Sequence, residues 1–246
     1  MPSSPRALSR GPLVSVAAAI CLAASTPIEA EVRWGGSVAL TTDYLLRGVS
    51  QTDGAPAVQA ELHFQTQTGW LGGLWASNVE VNPEDGRTAE LNVFFGYARP
   101  IASDWSMKLV AVHYAYPGNS PADFYNYDEL IVGAAYRDAF FVTATMSPNT
   151  PHESSPGLAR DDTALSLEMA LRYPLQGKWS ALGGVGYYEL KAPDSAGYAY
   201  WSAGVGYDFE PWHLEIAWFG TSSAAAELFD ETRPSNRLAA TLIWRF

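Results

Sequence analysis

Eleven ionisable side chains recur beside apolar neighbours in short stretches of this chain: Asp43, Arg47, Glu61, Glu90, Glu129, Glu168, Arg172, Asp208, Glu215, Arg237 and Arg245. Seven are carboxylates and four are guanidinium groups. That mixture can attract or repel dissolved ions, or lock into internal ion pairs, but it holds no activated nucleophile. The four histidines, His63, His113, His152 and His213, show no metal-ligand spacing, and neither a Gly-rich phosphate loop nor a nucleophile elbow is present. No metal or cofactor follows from these residues. Ser166 shares a face with the charges but has no histidine assigned beside it, so a lipase has little support. Phospholipid hydrolysis abolished by Ser166→Ala would revive that reading.

The charges are positioned by alternation. Over Ser235–Phe246, the residues Leu238, Ala240, Leu242, Trp244 and Phe246 fall on one face, and Arg237, Ala239, Thr241, Ile243 and Arg245 on the other. Such a strand is greasy on one side and ends on an aromatic, which suits a lipid-facing strand with its aromatic at the membrane interface. Val58, Ala60, Leu62 and Phe64 likewise oppose Gln59, Glu61, His63 and Gln65. Leu165, Leu167, Met169, Leu171 and Tyr173 oppose Ser166, Glu168, Ala170 and Arg172. Twelve strands are predicted, over 34–47, 56–66, 70–80, 88–98, 104–115, 126–137, 140–147, 162–173, 178–190, 198–209, 212–221 and 235–246. The third, fifth and ninth are ambiguous in phase. Gly183-Gly184-Val185-Gly186 lies inside a strand pattern, where glycines ease curvature or close packing.

The first thirty residues read as a secretory signal: Arg6 and Arg10, an apolar run from Gly11 to Ser25, and a small residue, Ala30, for cleavage. Cys21, the only cysteine, leaves with it, and Ile20 before it is too large for a usual lipoprotein site. Residues 31–246 are therefore expected to form one exported domain without disulfides or thiolate metal sites. Loss of Arg6, Arg10 and Glu29 takes the 15 basic and 26 acidic residues to 13 and 25, a net charge of −12. Such a balance argues against nucleic acid as a partner. No apolar run in this part approaches the roughly 18 residues of a membrane helix, so a membrane could be crossed only as a barrel.

Aromatic residues recur at Trp34, Trp70, Trp105, Phe140, Trp179 and Trp212, spaced by 36, 35, 35, 39 and 33 residues. Each opens an extended run, so the repeating unit is a hairpin. Connections alternate between long polar segments (Gly48–Ala55, Asn82–Arg87, Tyr116–Tyr125, Ser147–Asp161, Lys191–Gly197, Ser222–Pro234) and short turns such as Asp138-Ala139 and Glu210-Pro211. Long loops on one rim and short turns on the other mark outer-membrane barrels. The repeating tryptophans, with Trp244 and Phe246, are expected to girdle the short-turn rim. Tyr44, Tyr114, Tyr116, Tyr127, Tyr187, Tyr188, Tyr198 and Tyr200 are expected to form a second girdle at the other.

The fold expected is all-β, a transmembrane antiparallel up-and-down β-barrel of twelve strands in the outer membrane, with ten or fourteen as the neighbouring counts. The eleven charges then face inward. Ionised groups at membrane depth must meet water or each other, so the interior is either a wet lumen or an ion-pair plug. A wet lumen with more acids than bases makes a narrow pore for small polar solutes with a weak preference for cations. The alternative is a closed barrel that is structural or acts through its loops. Outer-membrane lipid, lipopolysaccharide, the barrel-assembly machinery and small polar solutes are the partners implied.

The run Ser37-Val-Ala-Leu-Thr-Thr-Asp-Tyr-Leu-Leu-Arg-Gly-Val-Ser-Gln51, with Asp53-Gly54 and Pro56-Ala57-Val58-Gln59, resembles the TorF family of outer-membrane porins. The likeness continues through Gly73–Glu80 and Glu90–Val93 and weakens beyond. It implies a porin and supplies no substrate. Leu45 and Leu46 stand where members often carry an aromatic before the Arg. Asp43 and Arg47, four apart, are expected on one strand face at the pore mouth. Arg47 would bond Asp43 or an acid on a neighbouring strand, Gly48 would allow the turn, and Ser50 and Gln51 would cap the loop backbone.

Overall fold

Alternation in the sequence becomes one continuous antiparallel ladder. In this computed structural model, which describes residues 32–80, 88–118, 125–155, 158–191, 197–229 and 236–246, strand β1 (Val32–Thr41) is followed by a two-strand hairpin, β2 (Leu45–Leu46) and β3 (Val49–Ser50). Then come β4 (Ala57–Thr66), β5 (Trp70–Asn78), β6 (Ala89–Pro100), β7 (Trp105–Ala115) and β8 (Tyr127–Tyr136). The remainder are β9 (Phe140–Ser155), β10 (Leu158–Pro174), β11 (Trp179–Leu190), β12 (Gly197–Phe209), β13 (Trp212–Thr221), the short helix α1 (Ala225–Leu228) and β14 (Arg237–Arg245). Twelve strands close into a barrel, with β1 pairing β4 on one side and β14 on the other. The expected signal segment and the Asn82–Arg87 connection lie outside the described residues.

Closure leaves no sheet edge, so each strand satisfies its backbone groups without water. The outer face is then free to be apolar. Val58, Leu62, Leu91, Val93, Phe95, Leu130, Val132, Leu165, Leu167, Met169 and Leu171 all point outward and are exposed, Phe95 by 53%. A continuous belt of this kind belongs in hydrocarbon. The three strands of ambiguous phase settle with Trp70 and Leu74 outward on β5, Trp105, Met107 and Leu109 on β7, and Trp179 and Val185 on β11. Their inner faces carry Leu71 and Trp75, Val110 and Val112, and Leu182 and Leu190, all buried. Apolar residues on both faces are what hid the phase.

Ring contacts trace the expected girdle along the short-turn rim. Trp34 meets Phe64 with centroids 5.7 Å apart, Trp70 meets Phe95 at 5.4 Å, Trp105 meets Tyr136 at 5.1 Å and Trp179 meets Tyr207 at 4.7 Å. Trp212, Trp244 and Phe246 form a run at 6.3 and 5.0 Å. Phe246 also exchanges both backbone hydrogen bonds with Gly36, at 3.0 and 3.1 Å.

The expected second girdle is not there. Tyr44, Tyr114, Tyr116, Tyr188, Tyr198 and Tyr200 are 1–8% exposed and lie inside, and Tyr127 stacks on Tyr114; only Tyr187 faces outward. Tyrosine also joins the tryptophan rim through Tyr97, Tyr136 and Tyr207. The reason is pairing: hydroxyls of this set have carboxylates or a backbone carbonyl to bond within the barrel, as described below. Two connections also differ. The first strand stops at Thr41 rather than at 47, because Thr41 Oγ1 donates to the carbonyl of Asp43 (2.8 Å) and the chain turns inward. The expected Ser147–Asp161 loop is largely ladder, since β9 continues to Ser155 and β10 begins at Leu158 with register shifts at Leu158/Ala159 and Asp162/Ala164. Hydrogen-bonded pairing outlasts the hydrophobic alternation where the strands leave the lipid.

Val132→Arg, in mid-belt, should cost about 2–4 kcal/mol of folding stability in bilayers. Urea titration of the protein folded into vesicles measures it. A change under about 0.5 kcal/mol, the size of an ordinary surface substitution, would mean that this face is not in hydrocarbon.

Candidate functional site

Between β1 and β4 the chain does not form an outer loop; it folds into the barrel. Leu45 pairs with Ser50 and Leu46 with Val49, leaving Arg47 and Gly48 as a two-residue turn. Their φ angles are +51° and +79°. Positive φ at both central positions is the type I′ turn, whose twist suits a tight hairpin. The tip comes to rest on β12 and β13: a Cβ on Gly48 would lie 2.6 Å from Thr221 Cγ2 and 3.2 Å from the Gly220 carbonyl. Only glycine fits there.

The base of the hairpin is tied by Asp43. Its Oδ1 accepts hydrogen bonds from Ser50 Oγ (2.6 Å) and Thr52 Oγ1 (3.1 Å), and its Oδ2 accepts from Arg237 Nη1 on β14 (3.2 Å). Ser50 Oγ in turn accepts from the backbone N–H groups of Thr52 and Gly54. Gln51 Nε2 donates to the Val49 carbonyl (3.1 Å).

The flanks pack against two internal cores. Tyr44 and Leu46 join Leu71, Trp75, Phe94, Val112 and Tyr114 of β5–β7, while Val49 joins Tyr188, Leu190, Tyr198 and Tyr200 of β11–β12 and Ala225 of α1. The barrel interior at this level therefore holds packed apolar side chains and is not uniformly polar.

Electrostatics holds the tip. Arg47 Nη2 donates to Glu129 Oε1 on β8 at 2.7 Å, with the two side chains 10% and 2% exposed. The Arg47 guanidinium also sits 5.2 Å from the centroid of the Tyr188 ring, and Tyr198 Oη donates to the Arg47 carbonyl (3.1 Å). Tyr114 Oη donates to the other oxygen of Glu129 at 2.9 Å. Glu90, fully buried on β6, accepts from Asn92 Nδ2 (2.7 Å) and, at 3.3–3.4 Å, from the hydroxyls of Tyr44 and Tyr116. Tyr44, Tyr114 and Tyr116 thus donate to buried carboxylates, and Tyr198 to a backbone carbonyl.

Asp43 and Arg47 accordingly do not share a face of the first strand, and Arg47 bonds neither Asp43 nor an adjacent strand but an acid across the lumen. The other nine charges lie on inward faces of the wall. Glu61 on β4 pairs with His63 (2.7 Å). Arg172 on β10 reaches Asp208 on β12 (2.8 Å), Asp208 contacts His213 Nδ1 (2.7 Å), and His213 Nε2 contacts Glu215 (2.8 Å), a chain of four groups towards the tryptophan rim. Glu168 accepts a hydrogen bond from Tyr200. Arg237 and Arg245 are the first and last residues of β14. Leu242 and Trp244 take the opposite, outward face of that strand.

Sequence reading missed Lys108, buried on the inner face of β7, because both faces of that strand are apolar, and Asp162, buried on β10 at the first position of the predicted strand 162–173. It also passed over His213, although the alternation that placed Glu215 inward places His213 beside it. Among the described residues no group of three or more His, Cys, Asp or Glu is arranged to hold a metal ion.

A closed twelve-stranded barrel with an apolar exterior and a charged interior is a barrel of the outer-membrane porin type. Residues 25–244 match the family described as "Bacterial protein of unknown function (Gcw_chp)", and the chain belongs to that family. No curated protein is similar to it. Among solved structures, the NanC porin is similar with a TM-score of 0.58 at 8% identity, over 86% of this chain and 98% of that one. The KdgM porin gives 0.52 at 10% identity over 86% and 99%. The KdgM porin in complex with disordered oligogalacturonate gives 0.52 at 10% over 87% and 99%. Likeness at these identities is one of fold.

Arg47→Ala would leave the Glu129 carboxylate buried with Tyr114 as its remaining donor among the described residues. Removing one partner of a buried pair typically costs about 3–5 kcal/mol. A denaturation midpoint equal to that of the parent would show that the hairpin is not held by this pair.

Proposed function

We propose that the protein is an outer-membrane channel for passive diffusion of small polar solutes, with a weak preference for cations. The observation that carries this reading is the closed barrel whose exterior is apolar and whose inward faces bear nine of the eleven charges, with Asp43 and Arg47 on the hairpin inside; in this reading they line the passage. Closure removes any need to fill the interior with hydrocarbon side chains, and ionised groups at membrane depth are stable where water reaches them. The resemblance of Ser37–Gln59 to the TorF porins points the same way.

With Asp162 and Lys108 added, inward acids outnumber inward bases by eight to five. An excess this small favours cations modestly. It does not suit an anionic sugar polymer such as the oligogalacturonate held by the KdgM porin, so that solute is not carried over. In this reading the constriction is the hairpin, Asp43–Ser50, and Arg47 with Glu129 sets its position. Outer-membrane lipid and lipopolysaccharide surround the barrel in this reading, and the barrel-assembly machinery inserts it.

The hairpin's bonds to opposite walls favour a second reading, a barrel closed at rest. Conductance in planar bilayers separates the two. The parent should show small openings that select for cations, and a variant with residues 44–51 replaced by a short Gly-Ser link should conduct several-fold more. Openings with an anion preference would contradict the channel as described. Silence from both proteins would favour the closed barrel.

A further inference from the structure

Beneath the hairpin tip lies a small cavity, about 20 Å³ in volume, bounded on the hairpin side by Arg47 and on the wall by Glu168, Gly184, Tyr200, Ser202 and Phe219. Space of that size holds one or two water-sized atoms. It exists because β11 carries glycine where it faces β12. A Cβ on Gly184 would stand 3.0 Å from Ser202 Oγ, and one on Gly186 would overlap the Tyr200 ring. The Gly183–Gly186 run thus seats an aromatic ring and leaves a void beside it.

The chemistry of the walls is specific. Glu168 is the one carboxylate on the cavity, Tyr200 and Phe219 supply aromatic rings, and Ser202 supplies a hydroxyl. Arg47 also borders it, but its charge is already met by Glu129 at 2.7 Å. Arg47, Glu129, Glu168 and Lys108 together balance, so the attraction for a cation is that of the Glu168 carboxylate at contact. Lys108 acts electrostatically on Glu168, as Arg47 does, but does not border the cavity. A carboxylate, aromatic rings and a hydroxyl around a volume of one or two heavy atoms match an ammonium head group, which binds a carboxylate by charge and aromatic faces by cation–π attraction.

We infer that the cavity formed by Glu168, Tyr200, Phe219 and Ser202 under the hairpin tip is a binding subsite for the ammonium group of a small primary amine. It sits beside the constriction of the channel reading, so a solute held there is held where passage is decided. The subsite deepens the channel reading, and it can be tested by binding alone.

Methylammonium is the probe. Calorimetric titration of the detergent-solubilised protein should show saturable binding of methylammonium and little of tetramethylammonium, which is too large for the space. Glu168→Gln should weaken methylammonium binding about tenfold or more, the effect of losing a charged hydrogen-bond partner. Gly184→Ala, which fills the void and keeps the carboxylate, should weaken it comparably, so the outcome does not rest on one variant's folding. Absence of saturable binding, equal binding of tetramethylammonium, or unchanged binding in both variants would each overturn the subsite. Failure of the channel reading looks different: binding would persist in a protein that conducts nothing.

Discussion

Hydrocarbon cannot hydrogen-bond a peptide group, and closure of the sheet is the only way twelve strands can meet that constraint. Every other feature of the molecule follows from it. Once β1 pairs with both β4 and β14, the ladder is complete and side chains need not protect the backbone. The exterior can then be aliphatic through Val93, Leu130 and Leu167, with aromatic residues at the rim. The interior is left as a space that must be wetted, packed or crossed.

This barrel crosses it. The segment Asp43–Ser50 enters the lumen, and each residue of its Asp-Tyr-x-x-Arg-Gly-x-Ser-Gln run has a physical task there. Asp43 gathers Ser50, Thr52 and Arg237 at the base. Tyr44 packs against Trp75 with ring centroids 5.4 Å apart and donates to Glu90. Gly48 allows the turn and the close approach to β13, and Arg47 meets Glu129. A buried ion pair adds little net stability on its own, because desolvation offsets attraction. Its value lies in position: no other acid among the described residues pairs with Arg47, so the tip has one resting place.

Much of this was legible in the chain. The wall strands were, because a strand between lipid and lumen alternates strongly, as Leu165–Tyr173 does. The tryptophan rim was legible because each turn restarts the pattern. Failures came where two environments share one residue type. Tyrosine serves equally at a membrane interface and as a buried donor, so Tyr114 and Tyr198 could be placed only once their carboxylate and backbone partners were seen. Leu45 and Leu46 keep the apolar character of β1 running, so nothing local marks the inward bend after Thr41. The Arg47–Glu129 contact joins residues 82 positions apart and has no local signature at all.

Since the hairpin's seat inside the barrel is the central claim, the most direct test is the distance between Arg47 and Glu129 in a lipid bilayer. Solid-state NMR dipolar dephasing between a nitrogen-15-labelled Arg47 side chain and a carbon-13-labelled Glu129 carboxyl measures it. A salt-bridge contact of 2.7 Å between nitrogen and oxygen predicts strong dephasing. No dephasing, with Arg47 mobile and hydrated, would place the hairpin outside the lumen and contradict the account.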